Sequence, residues 1–193
     1  MQGSKKKERS EQPSETKKNQ NVSRKQYVRE LRKTILILAA VFAGILLLAM
    51  FAMPVYRITG NTMNPTLDEG NIVLSIRTGN LKEGDLAAIR YSDKILVRRV
   101  IGLPGDRIEM DESGTVRVNG EVLAEDYVSN PAAGQTDLTY PFVVPEGQYF
   151  MMGDNRSVSI DSRNSAIGCI PEDMIAGKLM MRIFPLNEIK ALS

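Results

Sequence analysis

The pattern of apolar and polar positions divides the chain into three parts. Residues 35–55 (ILILAAVFAGILLLAMFAMPV) form an apolar run of 21 residues without a charged or strongly polar side chain. A helix that rises about 1.5 Å per residue spans roughly 30 Å over this length, which matches the hydrocarbon core of a bilayer. The sequence therefore predicts a transmembrane anchor over residues 34–55. Pro54 is expected to mark the end of the helix, because proline removes a backbone donor.

Residues 1–33 are rich in Lys, Ser, Glu and Gln and are predicted to form a disordered tail, since they have too little apolar surface to offset ordering entropy. The tail carries eleven Lys or Arg against four Asp or Glu, whereas residues 34–193 carry a net charge of −5. Because the basic residues precede the apolar run, the positive-inside rule predicts a cytoplasmic tail and an extracytoplasmic body. The expected partner of the tail is anionic membrane lipid rather than nucleic acid.

A cleaved signal peptide is the competing interpretation of the apolar run. The run is too long for a typical signal-peptide core, and no A-x-A cleavage pattern follows it closely. We therefore expect an uncleaved, single-pass anchor in the cell membrane.

From Tyr56 onward, short segments rich in branched and aromatic residues alternate with Gly, Pro, Asp and Asn, which predicts strands. Asn119-Gly120 is a strong hairpin signal, and PEDMIAGKLMMRI could hold a short helical turn before a last strand. The fold class predicted for residues 56–193 is mostly β, an antiparallel β domain behind one N-terminal transmembrane helix. The predicted strands lie in NIVLSIR, DLAAIRY, KILVRRVI, TVRVNGEVL and GQYFMMG.

The absence of one residue type excludes several kinds of chemistry. The chain has no His, which excludes Ser-His-Asp and Cys-His catalysis and His-based metal sites. Its single cysteine, Cys169, cannot form an intramolecular disulfide and is expected to be a buried small hydrophobe in AIGCIP. We predict neither a metal nor a cofactor.

Three polar segments stand out between the strands: GNTMNPTLDEGNIVL, VRRVIGLPGD and MGDNRSVSIDSRNSAIG. Taken singly, LPGD and GDN are typical of reverse turns. Taken together behind an N-terminal anchor, they resemble the three sequence boxes of bacterial type I signal peptidases (leader peptidases, the S26 serine peptidase family), over roughly residues 35–190. The compact body is similar to the Gram-positive branch of that family. The residues predicted to support the site are Met63, Pro65, Arg99, Gly153, Asp154, Asn155, Arg156, Ser159, Asp161 and Arg163.

The resemblance implies a catalytic pair at Thr62 and Arg98, where family members carry a Ser nucleophile and a Lys general base. Thr62 keeps a hydroxyl, although its methyl group stiffens χ1 beside the attacking oxygen. Arg98 is the larger departure, because neutralising a guanidinium at pH 7 costs about 7 kcal/mol over more than five pKa units. That is a rate factor on the order of 10⁵ if no other base acts. Lys94 lies roughly 13 Å along the same strand, too far to substitute easily.

The resemblance also implies roles for the surrounding residues. Asp161 is expected to pair with Arg163, Ser159 to hydrogen-bond to the residue in the base position, and the Thr62 backbone N–H to contribute to an oxyanion hole. The implied partners are signal peptides of exported preproteins, held by strand addition. We expect Met63–Leu67 and Asp93–Arg98 along that groove.

Two functional hypotheses follow, and a third is weaker. The chain is either a signal peptidase whose cleavage is impaired or restricted, or a non-catalytic binding or assembly factor for exported surface proteins such as pilins. The third is an anchored β domain without a peptide function. The double change at Thr62 and Arg98 favours the non-catalytic role.

Overall fold

The computed structural model describes residues 12–131, 134 and 136–192, with side chains from residue 26 onward except residue 50. The N-terminal unit is formed by a single helix, α1, Gln12–Ala52. Within the described part of the chain, its segment Gln26–Ala49 is the one helical stretch long and apolar enough to cross a membrane, with a mean hydropathy of 2.2. The helix ends two residues before Pro54, as expected from the restriction that proline places on the preceding residue.

Helix α1 begins at Gln12, well before the apolar run, whereas residues 12–33 were predicted to be disordered. The remainder of the predicted tail, residues 1–11, lies outside the described residues. Lys, Arg, Glu and Gln are good helix formers, and an apolar helix that is already nucleated can extend by one residue at a time. Glu30 and Lys33 also form an ion pair of 2.8 Å along the helix surface.

The second unit begins at Phe51, includes the last two residues of α1 and otherwise consists of β-strands and short turns. The strands that the structure describes are β1 Val55–Arg57, β2 Ile72–Ile76, β3 Leu86–Tyr91, β4 Lys94–Gly102, β5 Arg107–Met110, β6 Val116–Val118, β7 Glu121–Val122, β8 Phe142–Val143, β9 Gln148–Met152, β10 Ile170–Pro171, β11 Ile175–Phe184 and β12 Lys190–Ala191. A 3₁₀ turn, Glu172–Met174, precedes β11 as predicted.

The strands form two antiparallel sheets, which confirms the predicted fold class. The larger sheet has the order β1-β2-β11-β3-β4-β9-β10, with β12 paired to β11, and the smaller has the order β7-β6-β5-β8. Strands β6 and β7 form the predicted hairpin, with Val118 opposite Glu121 across Asn119-Gly120. Each of the five segments predicted to contain strands does so.

The core reaches directly beneath the predicted site. Met63 and Leu67 are 1% and 0% exposed and pack in one cluster with residues of β2, β3 and β11. A second cluster lies between β9, β10 and their neighbours, and a third lies under the smaller sheet. Cys169 packs half-buried against the third cluster, and burial raises the pKa of its thiol to about 11, consistent with an inert side chain.

We predict that Gly177→Ala destabilises the domain by about 1–3 kcal/mol. A Cβ at Gly177 would lie 2.5 Å from the Ile76 carbonyl oxygen, in the backbone of the adjacent strand β2. Thermal unfolding of the full chain in detergent, followed by circular dichroism, measures the effect. Gly79→Ala is the matched control, because a Cβ there meets nothing within 4 Å. Equal melting temperatures for the two variants would contradict the prediction.

Candidate active site

The structure brings Thr62 and Arg98 into direct contact. Arg98, on β4, is 6% exposed, and its Nη1 donates a hydrogen bond of 3.1 Å to Thr62 Oγ1. The same guanidinium donates to the carbonyl oxygens of Val97 (2.6 Å) and Ile160 (2.9 Å). Thr62 therefore accepts, and Arg98 donates, at the two positions where the resemblance placed a nucleophile and a base.

The loop that carries Thr62 is fixed from below and from the side. Met63 and Leu67 anchor it in the core, and the Asn155 N–H donates to the Thr62 carbonyl oxygen at 3.0 Å. Pro65 lies exposed in the same turn. A Cβ at Gly153 would lie 2.7 Å from the Thr62 carbonyl oxygen and would also overlap Ser159. Glycine is therefore required where the two segments approach.

A buried ion pair holds the start of the third segment against β4. Arg99 Nε and Nη2 donate to the two carboxylate oxygens of Asp154, at 2.9 and 2.7 Å. Thr66 Oγ1 donates to the same carboxylate at 2.5 Å, and the Tyr127 ring lies 3.9 Å from the Arg99 guanidinium carbon. Such bidentate geometry offsets the cost of burying both charges.

Two further ion pairs complete the frame. Arg163 Nε and Nη2 donate to Asp161 at 2.8 and 2.9 Å, as the resemblance implied. Arg156 donates from Nε to the Gly153 carbonyl oxygen and pairs with Glu125. Burial acts to raise the pKa of the Asp161 carboxyl, but the hydrogen bonds and charge of Arg163 outweigh it and lower that pKa below its usual value.

Arg98 remains a cation in this setting. Burial lowers the pKa of its guanidinium, the charge of Asp161 acts to raise it, and the charge of Arg163 lowers it again. An arginine starts far above neutral pH and keeps its proton in proteins. The guanidinium therefore has no lone pair with which to take a proton from Thr62.

A cavity of about 250 Å³ lies beside the pair. Of the segments expected along the groove, Met63 and residues 95–98 line the cavity together with Thr62, whereas residues 64–67, 93 and 94 do not. Residues 55–59 form a further wall that the sequence did not indicate. Strand β4 pairs with β9 only from Arg99 onward, and β1 is the last strand of its sheet. Two backbone edges, β1 and the first half of β4, thus flank the cavity.

One implied contact is absent, and several partners were missed. Ser159 Oγ does not bond to Arg98 among the described contacts; the guanidinium, longer and flatter than a lysine ammonium, reaches the Ile160 carbonyl oxygen instead. Thr66 belongs to the first box, so its bond to Asp154 could have been anticipated. Glu125 and Tyr127 lie in an irregular segment after β7 without any sequence signal.

Comparisons with known proteins identify the class of protein to which this antiparallel domain and its edge-flanked groove belong. The sequence model "Signal peptidase, peptidase S26" matches residues 28–184. Signal peptidase I of Bacillus licheniformis is 39% identical over 168 residues, covering 80% of this chain and 88% of that protein. Signal peptidase IB of Staphylococcus aureus is 35% identical over 182 residues, covering 84% and 94%.

A crystal structure of a signal peptidase I from Enterococcus faecalis V583 is 31% identical and covers 52% of this chain and 97% of that one, with a TM-score of 0.45. The family match extends over most of the chain, and the curated relatives are covered nearly in full. The chain belongs to the signal peptidase S26 family.

We predict that Asp161→Asn lowers the free energy of unfolding at pH 7 by about 3–5 kcal/mol, because Arg163 would be left as a buried charge without its carboxylate. The pKa of Asp161 is lower in the folded state, so its contribution is complete above the unfolded value of about 3.9 and is lost as the pH falls through the folded value. The difference between wild type and variant should therefore shrink below about pH 4.

Chemical denaturation of the full chain between neutral and acidic pH measures this difference. Asp173→Asn is the control, since Asp173 is exposed on the 3₁₀ turn, and it should change stability by less than about 0.5 kcal/mol. A difference between wild type and Asp161→Asn that stays constant across the pH range would contradict the assigned role.

Proposed function

We propose that this protein binds signal peptides of exported preproteins at the outer face of the cytoplasmic membrane, and that its cleavage of them is impaired or absent. The single observation that carries the proposal is the direction of the bond between Thr62 and Arg98. A nucleophilic hydroxyl must donate its proton to a base. Here the Thr62 hydroxyl accepts a hydrogen bond from the Arg98 guanidinium, which has no lone pair with which to accept a proton.

Energetics support the same assignment. A neutral Arg98 at pH 7 would cost about 7 kcal/mol, equivalent to a rate loss on the order of 10⁵. Asp161, the carboxylate that the resemblance places at the site, already forms an ion pair with Arg163. Lys94 is exposed at the start of β4, roughly 13 Å along the strand from Arg98. The described residues therefore offer Thr62 no evident base.

The peptide-binding features are present. The groove between β1 and β4 presents backbone edges to which an extended peptide can add as a strand, and the apolar residues in its mixed lining can receive alternate side chains. The Thr62 N–H donates none of the described hydrogen bonds, so it is available to a peptide carbonyl. These features support a protein that binds a peptide without transferring a proton.

The proposed arrangement in the membrane follows the charge pattern. Residues 34–55 form the anchor, the basic residues 1–33 lie in the cytoplasm against anionic lipid, and residues 56–193 form the extracytoplasmic domain. This places the groove on the side of the membrane where exported preproteins emerge. An assembly factor for surface proteins such as pilins is one form that a binding role would take.

A second candidate, a slow peptidase, is favoured by one observation. Thr62 keeps a hydroxyl in the groove, and burial lowers the pKa of the Arg98 guanidinium, which is the direction that a base requires. The same test separates the two candidates.

We expect that wild type, Thr62→Ser and Arg98→Lys cleave a preprotein substrate at or near background, and that the double variant Thr62→Ser/Arg98→Lys gains about 10²–10⁴-fold. A buried lysine can lose its proton near neutral pH and so act as the missing base. Cleavage by purified full-length protein in detergent or lipid is followed on gels, and peptide binding is measured in parallel.

The matched control is Thr62→Ala/Arg98→Lys, which carries the new base without a nucleophile and should stay inactive. Turnover by wild type that Thr62→Ala abolishes would refute the non-catalytic role and require another base. Failure of every form to bind a signal peptide would refute the binding role.

A further inference from the structure

The buried arginines around the site differ in one respect. Among the described residues, three of them have a carboxylate partner, and Arg98 has none. The acceptors of Arg98 are neutral: one hydroxyl and two backbone carbonyls. Its Nε is buried without an acceptor. The three pairs are Arg99–Asp154, Arg156–Glu125 and Arg163–Asp161.

An uncompensated charge at such a place is costly, since a buried cation needs a partner to offset its lost hydration. Asp161 is near enough to influence Arg98 electrostatically, but Arg163 neutralises it. Arg98, Asp161 and Arg163 together therefore carry one positive charge beside the groove. The protein supplies no counter-charge for it among the described residues.

The donors at this end of the groove also point to an anion. The Thr62 hydroxyl uses a lone pair to accept from Arg98, so its own hydrogen must go elsewhere, and no described residue accepts it. The Thr62 N–H is likewise without a described acceptor. The hydrogen bond from the Arg98 cation polarises the Thr62 hydroxyl and makes it a stronger donor. This hydroxyl and the neighbouring Thr62 N–H together suit a carboxylate better than a neutral carbonyl.

We propose that the Thr62–Arg98 pair binds the free C-terminal carboxylate of an extended peptide. This inference rests on the proposed peptide-binding function and specifies its ligand. The chain of such a peptide would lie along the edges of β1 and β4, with its last side chains against Ile58, Met63 and Val97. Its carboxylate would then accept from Thr62 and compensate the charge of Arg98. The ligand class is the C-terminal end of an already cleaved peptide, such as a released signal peptide.

The test compares three synthetic peptides on the full-length protein in detergent, by isothermal titration calorimetry. The first ends in Ala-Gln-Ala with a free acid, the second is the same peptide as the C-terminal amide, and the third continues beyond the last Ala. We expect the free acid to bind about tenfold or more tightly than either of the others. Arg98→Met should abolish this preference, so that the acid and the amide bind with affinities equal within about twofold.

Two variants keep the result interpretable if Arg98→Met is unstable. Arg98→Lys should retain the preference for the acid near pH 6 and lose it by about pH 9, because burial lowers the pKa of a lysine, whereas wild type should retain it at both. Lys82→Met removes an exposed cation from outside the groove and should leave the ratio of affinities unchanged.

Equal affinities of wild type for the acid and the amide would overturn this inference and leave the proposed binding function intact. A preference that persists in Arg98→Met, or in Arg98→Lys at high pH, would also overturn it. Absence of binding by all three peptides would overturn both the inference and the proposed function.

Discussion

The site depends on the close backbone approach of two segments, the turn that carries Thr62 and the segment that begins at Gly153. The Asn155 N–H donates to the Thr62 carbonyl oxygen, and no side chain larger than hydrogen fits at Gly153. Met63 and Leu67 press the turn into the core from the other side. Because packing and backbone bonds set this approach, the position of Thr62 does not depend on whether its hydroxyl reacts.

The frame of the site is held mainly by residues other than Thr62 and Arg98. Buried ion pairs join β4 to the third segment at Arg99–Asp154 and brace that segment at Asp161–Arg163. Removing the carboxylate of either pair would leave a buried arginine without its carboxylate partner, which lowers the stability of the fold. Arg98 itself is tolerated because its donors find backbone carbonyls and a hydroxyl. The contacts that set the geometry of the site are therefore distinct from the bond between Thr62 and Arg98.

Much of the β domain could be predicted, because its signals are local. Short branched and aromatic runs predicted the strands, and Asn119-Gly120 predicted the hairpin. The meeting of Thr62 with Arg98 followed from a resemblance, not from periodicity. The features that differ from the predictions depend on context. Residues 12–33 are helical because they extend an apolar helix. The Arg98 side chain is long enough for its guanidinium to bond to the Ile160 carbonyl oxygen rather than to Ser159.

The segment after β7 has a consequence for any chimera built within this family. Glu125 pairs with Arg156, and the Tyr127 ring lies over Arg99, although neither belongs to the three polar segments that define the resemblance. Transplanting those three segments into another scaffold would leave Arg156 without its carboxylate partner. Arg99 would keep Asp154 but would lose the Tyr127 ring that covers it. A graft of the site must therefore include the segment after β7, because part of the site is encoded outside the three polar segments.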